Sequence, residues 1–327
     1  MLSFLPSDAI FESQAEQNAY KEVSELDRIV VSHPALSEAV TGIRGCIKAS
    51  IASRSPECCM LLGDGGMGKT TIARLIMKSM PSQTIVENDC EIDTVPAFYM
   101  SLPPEGRLSG LTEEMLTLLN DVCPSAGTAG SQSKRINTLL RRCKTAIVFI
   151  DELHNLSLIR KKDALAGQRI SNWLKELFNA EGPVICLVGT NECKTIFDHD
   201  TQMSRRYKSK FILAPLLPGT SEEPGDLQRF LHTLSSDIVK RTSVKSTPNF
   251  TSYNLALRVF AATRGNVDYV STLLKVAARH ALLAGRDVMT LPDLANVWNT
   301  GIFSAQSITV QNPFTMTGNA LAAAFRG

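Results

Sequence analysis

Residues 63–71 read GDGGMGKTT, a glycine-rich stretch that ends in a lysine and two threonines. It follows the apolar run CCMLL and precedes a segment of helical period, TTIARLIMKSM, as a P-loop lies between a strand and a helix. Its glycines let backbone N–H groups turn toward phosphate oxygens, and the helix N-terminus adds partial positive charge. The pattern therefore predicts a loop for the phosphates of ATP, made of Gly63, Gly65, Gly66, Met67, Gly68, Lys69, Thr70 and Thr71.

Two carboxylates follow another apolar run further along the chain. In TAIVFIDELHNL, Asp151 and Glu152 come directly after the predicted strand, at the edge of the sheet where ligands of such folds bind. We expect Lys69 to reach the β- and γ-phosphates, and Thr70 and Asp151 to ligate Mg²⁺. Glu152 would polarise the attacking water, which favours a hydrolysing ATPase over a kinase that transfers phosphate to a bound acceptor.

Polar residues also follow the strand predicted for VICLVG, namely Thr190 and Asn191. A polar side chain there would lie between the carboxylates and the γ-phosphate, where it would orient water and report the nucleotide state. A helix N-cap ahead of ECKTIF explains the same residues equally well, so both interpretations stay open.

Three arginines are candidates for contact with the nucleotide. Arg205 and Arg206, in MSRRYKSKF, precede the last predicted strand, where an arginine of one subunit would stabilise charge on the γ-phosphate bound by its neighbour. The alternative is an exposed basic turn. Arg264, in ATRGNVDYV, begins a predicted helix of the C-terminal region, from which it would touch the nucleotide as part of a lid.

The composition is that of an ordinary globular protein, with 34 basic and 32 acidic side chains among 327 residues and a net charge of +2. A site for a polyanion must therefore come from local clusters of charge. The eight cysteines form no C-x-x-C pair, which favours reduced, mostly buried thiols over disulfides or zinc. No apolar run approaches the roughly 20 residues that span a membrane, so we expect a cytoplasmic protein.

Short apolar runs alternate with segments of helical period between residues 57 and 216. One such helix is predicted from Leu111 to Val122. Strands that alternate with helices predict an α/β fold, a parallel sheet with helices on both faces. Beyond the turn-rich PLLPGTSEEPGD only helical periods occur, which predicts a small all-helical lid domain. The predicted strands lie in CCMLL, AFYMSL, AIVFI, VICLVG and KFILAPL.

These changes of pattern predict four segments. They are an N-terminal helical segment at 1–50 packed on the main domain, a P-loop α/β ATPase domain at 51–218, a helical lid domain at 226–300 and a flexible C-terminal tail at 301–327. The tail would dock on a partner through Asn312, Pro313 and Phe314, or it would be a disordered end without a role.

The order of these features along the chain resembles that of the AAA+ ATPases. The features are the P-loop, the Asp-Glu strand end, the polar strand end, the arginines before the last strand and the helical lid. Within that class the chain looks like the TniB/TnsC group of transposon-encoded regulators over roughly residues 25 to 300. The segments that carry this closer resemblance are SHPAL, SLPPEGRLSGLTEEMLTLLNDVCPS, VFIDELHNL and TRGNVDYVSTLLKVAARHAL. The lid has Thr263-Arg264-Gly265-Asn266 where many AAA+ proteins have a G-x-R type box.

The resemblance implies an ATP-dependent protein that forms rings or helical filaments around double-stranded DNA. It would link a target-selection complex to a transposase, and ATP hydrolysis would dismantle the assembly. Basic clusters in the sequence agree with such binding, because lysines and arginines neutralise phosphates without reading bases; a solvated basic face is the alternative. The candidate DNA contacts are Arg107, Lys134, Arg135, Arg141, Arg142, Lys144, Arg160, Lys161 and Lys162.

Our leading hypothesis is thus an AAA+ regulator of transposition that uses ATP and Mg²⁺. A replication initiator or helicase loader of the same class would differ in acting on a helicase. A P-loop kinase of a small metabolite would need an acceptor pocket and would survive loss of Glu152. A nucleotide-gated adaptor without turnover would keep its assembly and lifetime after Glu152→Gln.

Overall fold

The structure is a computed structural model that describes residues 10–179, 182–198, 200–220 and 222–325. The chain divides into two compact units: a sheet unit, Ala35–Ala214, and a helical unit built from Met1–Pro34 and Pro215–Gly327. Residues 1–9 of the N-terminal segment and 326–327 of the tail lie outside the described residues. None of the helices in the described ranges is both long and apolar enough to cross a bilayer.

Five parallel strands form the main sheet, in the order β4-β5-β6-β1-β7. Each strand contains or overlaps one of the five predicted apolar runs, so the parallel α/β fold is confirmed. β5 and β6 are buried along their whole length, as strands covered by helices on both faces are. The strands of the chain are β1 (Cys59–Gly63), β2 (Thr84–Glu87), β3 (Cys90–Asp93), β4 (Ala97–Ser101), β5 (Ile147–Asp151), β6 (Val184–Gly189) and β7 (Ser209–Leu213).

The helices around the sheet follow from apolar periodicity. In the helix at 129–142, Gln132, Ile136 and Leu140 are buried at four-residue spacing. Val122 was expected on the apolar face of the preceding helix but is 95% exposed, because that helix ends at Leu118. In chain order the first eight helices are α1 (Gln14–Glu25), α2 (Pro34–Ser53), α3 (Lys69–Lys78), α4 (Leu108–Leu118), α5 (Ala129–Arg142), α6 (His154–Lys162), α7 (Ala164–Asn179) and α8 (Thr201–Arg206).

A small hairpin, β2 with β3, is absent from the sequence-based expectation. Its two strands are antiparallel and mostly exposed, so they lack the apolar run by which a buried strand is recognised. Asn88 and Asp89 connect them with φ of 51° and 59°, the left-handed backbone that two-residue hairpin turns favour.

The helical unit consists of α9 (Asp226–Arg241), α10 (Tyr253–Thr263), α11 (Val267–Leu283), α12 (Leu291–Asn299) and α13 (Gly318–Ala324). α1 also belongs to it, since Val23 of this helix and Leu26, which directly follows it, are buried in the same apolar core as the C-terminal helices. Lys275 of α11 binds Asp27 at 2.7 Å, and Glu22 accepts hydrogen bonds from the backbone N–H and the hydroxyl of Ser243. The N-terminal segment was therefore wrongly expected to pack as one piece on the main domain.

The structure corrects the expectation of a flexible tail. Phe314 is only 3% exposed and lies in the core of the helical unit. Arg258 of α10 donates to the carbonyls of Pro313 and Met316, at 2.5 and 2.9 Å. The amide of Asn312 donates to the Ala295 carbonyl at 2.9 Å. Because Phe314 and the amide of Asn312 are used within the fold, the segment around Pro313 is not an exposed docking motif in this conformation.

All eight cysteines are free thiols. Six of them are buried, whereas Cys90 in the hairpin and Cys123 after α4 are exposed. Cys59 of β1 and Cys186 of β6 are direct neighbours across two parallel strands. These buried thiols fill the interior of the sheet unit as small apolar side chains do.

Candidate functional site

The carboxyl ends of three neighbouring strands carry the candidate residues of the sheet unit. β5, β6 and β1 are consecutive in the sheet and parallel, so the segments that follow Asp151, Gly189 and Gly63 leave from one edge. Residues distant in sequence are brought together there, as expected for ligand sites of parallel sheets.

The P-loop connects β1 with α3. Gly68 precedes α3 with φ of 92°, a left-handed conformation that glycine adopts without steric cost. No side chain caps this helix N-terminus, so backbone donors of its first turn remain available to an anion. Met67 is buried and anchors the loop, while Lys69 donates to the Gly63 and Asp64 carbonyls at 2.6 and 2.9 Å. The loop thus places a cation beside the uncapped N-terminus of α3, which suits phosphate.

Asp151 is buried, and each of its carboxylate oxygens accepts a hydrogen bond. Oδ1 accepts from the backbone N–H of Glu152 at 2.6 Å. Oδ2 accepts from the hydroxyl of Tyr99 on β4. That hydroxyl oxygen lies 3.4 Å from Oγ1 of Thr70, at the start of α3. A chain of polar contacts therefore joins the P-loop helix to the end of β5.

Tyr99 was missed in the sequence, although strand pairing explains its position. It is directly opposite Phe149, and Asp151 lies two residues beyond Phe149 on the same face of the sheet, where a long side chain reaches a diagonal neighbour. Burial and the hydrogen bond to Asp151 raise the pKa of the Tyr99 phenol well above its ordinary value. The phenol is therefore a proton donor throughout the neutral range.

Glu152 has a left-handed backbone, with φ of 59°, which is strained for a residue with a Cβ. Its side chain is 47% exposed, and its Oε2 lies 3.2 Å from Nδ1 of His154. The turn at Glu152 separates the two carboxylates, because Asp151 points into the buried contact with Tyr99 while Glu152 remains accessible to water. This division suits one carboxylate that holds a cation and one that orients a water molecule.

Asn191 contacts the P-loop directly. Its amide nitrogen donates to Oδ1 of Asp64 at 3.0 Å, and it begins a short 3₁₀ helix at Asn191–Thr195. Thr190 occupies the N-cap position of that helix, yet its side chain makes no capping hydrogen bond to the backbone. The geometry favours the contact with the loop over the capping interpretation for Asn191, although its role toward a nucleotide stays a prediction.

The three candidate arginines fall in different units. Arg205 and Arg206 end α8 in the sheet unit, where Arg205 is exposed and Arg206 is half-buried. Arg264 belongs to the helical unit and is exposed; it was wrongly expected to begin a helix, because it is the C-cap of α10, with φ of 51°. Gly265 follows with φ of 71°, and a Cβ there would lie 2.1 Å from the Leu216 carbonyl oxygen. Only glycine fits at 265, so the left-handed turn that presents Arg264 is fixed by packing.

The candidate DNA contacts divide into two groups. Arg135 pairs with Asp121 at 3.2 Å, and Lys144 pairs with Glu87 at 2.6 Å. Arg160 is half-buried and donates to the Ser171 hydroxyl at 2.8 Å and to the Ile196 carbonyl at 3.3 Å. Burial also lowers the pKa of its guanidinium. Arg160 is thus engaged within the fold, and its contact with DNA stays a prediction. Seven of the candidates are exposed, including the ion-paired Lys144: Arg107, Lys134, Arg141, Arg142, Lys144, Lys161 and Lys162.

The residues at the strand ends fit a nucleotide with Mg²⁺. Mg²⁺ usually keeps several waters and takes one or two carboxylates together with substrate phosphates. Asp151 has unused lone pairs, since each carboxylate oxygen accepts one hydrogen bond. The Thr70 hydroxyl is near this carboxylate, because it lies 3.4 Å from the Tyr99 hydroxyl that donates to Asp151. Asp151 and Thr70 would hold the cation, and Lys69 with the first turn of α3 would hold the phosphates.

Comparison with known proteins gives one matching family and several structures with a similar fold. Residues 25–214 match the family described as "Bacterial TniB protein". A search of the curated proteins found no match. Among solved structures, Cdc6p from Pyrobaculum aerophilum is similar with a TM-score of 0.58 at 16% identity, over 86% of this chain and 71% of that chain.

Two further structures have the same fold. The Aeropyrum pernix ORC1 protein, solved in complex with DNA, has a TM-score of 0.56 at 17% identity, over 84% of this chain and 66% of that chain. Drosophila ORC, solved bound to DNA, has a TM-score of 0.56 at 13% identity, over 94% of this chain and 70% of that chain. At these identities the likeness establishes the fold of the chain.

Proposed function

Because the chain belongs to the bacterial TniB family and has the fold of AAA+ ATPases, we propose that it is a Mg²⁺-dependent ATPase that regulates DNA transposition. It assembles as a ring or filament on double-stranded DNA when ATP is bound. The assembly links a target-selection complex to a transposase, and hydrolysis to ADP and phosphate releases it from DNA.

One observation carries the ATPase part of the proposal: contacts join the P-loop to the ends of both β5 and β6. Thr70 meets Asp151 through Tyr99, and Asn191 binds Asp64. A P-loop, a cation-binding carboxylate and a polar side chain able to sense the γ-phosphate thus form a single site. Bound Mg²⁺ would neutralise charge that develops on the transferred phosphate.

The remaining roles belong to side chains of this chain. Glu152, accessible beside Asp151, orients the attacking water and accepts its proton. Lys69 leaves the loop carbonyls of Gly63 and Asp64 and binds the phosphates. Arg205 or Arg206 of a neighbouring copy stabilises charge on the γ-phosphate, which makes hydrolysis depend on assembly. Arg264 contacts the nucleotide from the lid.

Binding to DNA is proposed to rest on the exposed basic residues of the sheet unit. Lys134 and Arg141 are seven residues apart on α5, about two helical turns, so they share a face opposite Ile136. Lys161 and Lys162 are exposed at the end of α6. A single copy with a net charge of +2 would bind weakly, and an oligomer multiplies these contacts. The similar ORC structures were solved with DNA, which supports this part of the proposal.

The test is electron microscopy of the protein with and without duplex DNA, in ATP, ADP and a non-hydrolysable ATP analogue. We expect rings or filaments that require both DNA and the triphosphate and that disappear with Lys69→Ala. Lys78→Ala removes an exposed lysine from the last turn of the same helix and should leave assembly intact. A monomer indifferent to DNA in every nucleotide state would contradict the proposal.

A separate measurement tests the DNA contacts. Replacing Lys134 and Arg141 by alanine should weaken binding to any duplex sequence and reduce the slope of log affinity against log salt by roughly one for each phosphate that is no longer neutralised. Lys48→Ala, at an exposed position of α2, is the matched control. An unchanged salt slope in the double variant would place the DNA surface elsewhere.

A replication initiator or helicase loader is the second candidate, favoured by the similarity to Cdc6p. The two candidates differ in the protein they act on. Stimulation of a helicase's loading on DNA, without any effect on strand transfer by a transposase, would support the second candidate.

A further inference from the structure

We propose that Tyr99 is a positioning residue for the Mg²⁺–nucleotide complex. It acts by fixing the carboxylate of Asp151 and by joining that carboxylate to Thr70 of the P-loop helix. The inference rests on the proposed function, since it concerns the ATP site, and it assigns a role to a residue outside the P-loop and the Asp-Glu pair.

The hydrogen bonds of Asp151 explain why the phenol matters. Without Tyr99, only the Glu152 N–H would hold the carboxylate, through Oδ1, and rotation of the group would be restrained at one oxygen. With Tyr99 donating to Oδ2, both oxygens are fixed, and each retains lone pairs for a cation or a bound water. Loss of a partner that orients a metal ligand in this way typically lowers metal affinity or activity 10–100-fold.

The position of the phenol is itself fixed by the sheet. Tyr99 lies on β4, which pairs with β5 along its whole length, and its ring packs beside Phe149 with the centroids 6.4 Å apart. Phe149 is fully buried. Because strand pairing and ring packing set the place of the hydroxyl, little side-chain freedom is lost when it holds Asp151.

The contact with Thr70 connects two elements. The proton of the phenol is donated to Asp151, so the Thr70 hydroxyl is the donor in the longer 3.4 Å contact. Tyr99 thereby relates the first turn of α3 to the end of β5, the two places from which Mg²⁺ would take protein ligands. A phenylalanine would keep the ring packing and would be unable to make either hydrogen bond.

The experiment measures the affinity of the full chain for a fluorescent ATP analogue, in excess Mg²⁺ and in EDTA. For the wild-type protein we expect Mg²⁺ to increase affinity. Tyr99→Phe should reduce that increase about 10-fold or more and leave the affinity in EDTA within about twofold. Tyr269→Phe makes the same chemical change on α11, in the helical unit, and should behave as wild type.

A double-mutant cycle tests the route through Asp151. Asp151→Asn should remove most of the Mg²⁺-dependent increase in nucleotide affinity. Adding Tyr99→Phe should then reduce the affinity no further, because the effects of residues that act as one unit are not additive. Thermal unfolding without nucleotide shows whether the variants fold. If Tyr99→Phe does not fold, Tyr99→Met, which fills the space with a flexible apolar chain, repeats the measurement.

The outcomes separate this inference from the proposed function. Wild-type protein that binds no nucleotide contradicts both. Wild-type protein whose affinity rises with Mg²⁺, together with a Tyr99→Phe protein that shows the same rise or a larger one, contradicts the role of Tyr99 alone. Additive effects of Tyr99→Phe and Asp151→Asn would also overturn it.

Discussion

The backbone at Glu152 is the most unusual feature of the site. With φ of 59°, this residue adopts a left-handed conformation that costs a side-chain-bearing residue roughly 1 kcal/mol or more. The turn directs the Glu152 N–H to Oδ1 of Asp151 and leaves the Glu152 carboxylate half-exposed. The strain is thus associated with the placement of two carboxylates for different tasks.

Replacing this carboxylate by an amide tests its role in hydrolysis. Glu152→Gln should slow phosphate release in the presence of DNA by about 10²–10⁴-fold, the range of a lost general base, while ATP affinity stays near wild type. Assemblies on DNA should last longer in ATP as a result. Glu113→Gln, at an exposed position of α4, is the control. Wild-type turnover in Glu152→Gln would favour a kinase, whereas an unchanged lifetime of the assemblies without turnover in either protein would favour an adaptor.

The strain itself can be measured by comparing alanine with glycine at this position. Glycine has no Cβ penalty in the left-handed region, so Glu152→Gly should be more stable than Glu152→Ala by about 1 kcal/mol in chemical denaturation. At Glu113, inside α4, the order should be reversed, because glycine is about 1 kcal/mol less favourable than alanine in a helix. Equal stabilities at position 152 would show that the turn relaxes in the variants.

Elements with an apolar repeat were predictable from sequence, and those without one were not. The five strands of the main sheet appear as apolar runs, whereas the exposed hairpin around Asn88 does not. The P-loop was found because its residues are contiguous. Tyr99 was missed because its contact with Asp151 depends on strand register. The hydrogen bonds of Arg160 were not foreseen because its acceptor at Ile196 is distant in sequence.

The N-terminus of α12 provides a test at the level of a single element. Asp293 is buried and accepts hydrogen bonds from Arg286 and from Thr290, at the helix N-cap. Burial raises the pKa of Asp293, but the hydrogen bonds from Arg286 and Thr290 outweigh it, so the pKa is lowered overall. A carboxylate whose pKa is lower in the folded state stabilises the fold above its unfolded pKa of about 3.9, and this stabilisation is lost as the pH falls through the folded pKa.

Asp293→Asn should therefore lower the free energy of unfolding by roughly 2 kcal/mol at neutral pH. It should also flatten the decline of this free energy below about pH 4. The measurement is denaturant unfolding as a function of pH. Asp287→Asn, which removes a surface ion pair with Lys245, should change stability much less. If the unfolding free energy of Asp293→Asn fell as steeply at acid pH as that of the wild type, other carboxylates would be responsible for the decline.

At the scale of the molecule, the helical unit is assembled from two distant parts of the chain. Leu26 is fully buried in the core that Phe314 also enters. Leu26→Ala should destabilise this unit by about 2–5 kcal/mol and increase hydrogen exchange in α11. Val30→Ala, at a position 42% exposed, is the matched control. Unchanged protection of α11 in Leu26→Ala would contradict the packing of the N-terminal segment on it.

Asp27 and Lys275 form an ion pair although they are 248 positions apart in the chain. Asp27 is therefore synthesised long before Lys275. At about 5–20 residues per second, roughly 12 to 50 s pass on the ribosome between the two residues. During that interval the sheet unit can form, while Val23 of α1 and Leu26, just after that helix, have no partner from α11. The nascent chain therefore exposes these apolar side chains well before α11 is synthesised. We expect chaperones to bind this N-terminal segment during that interval.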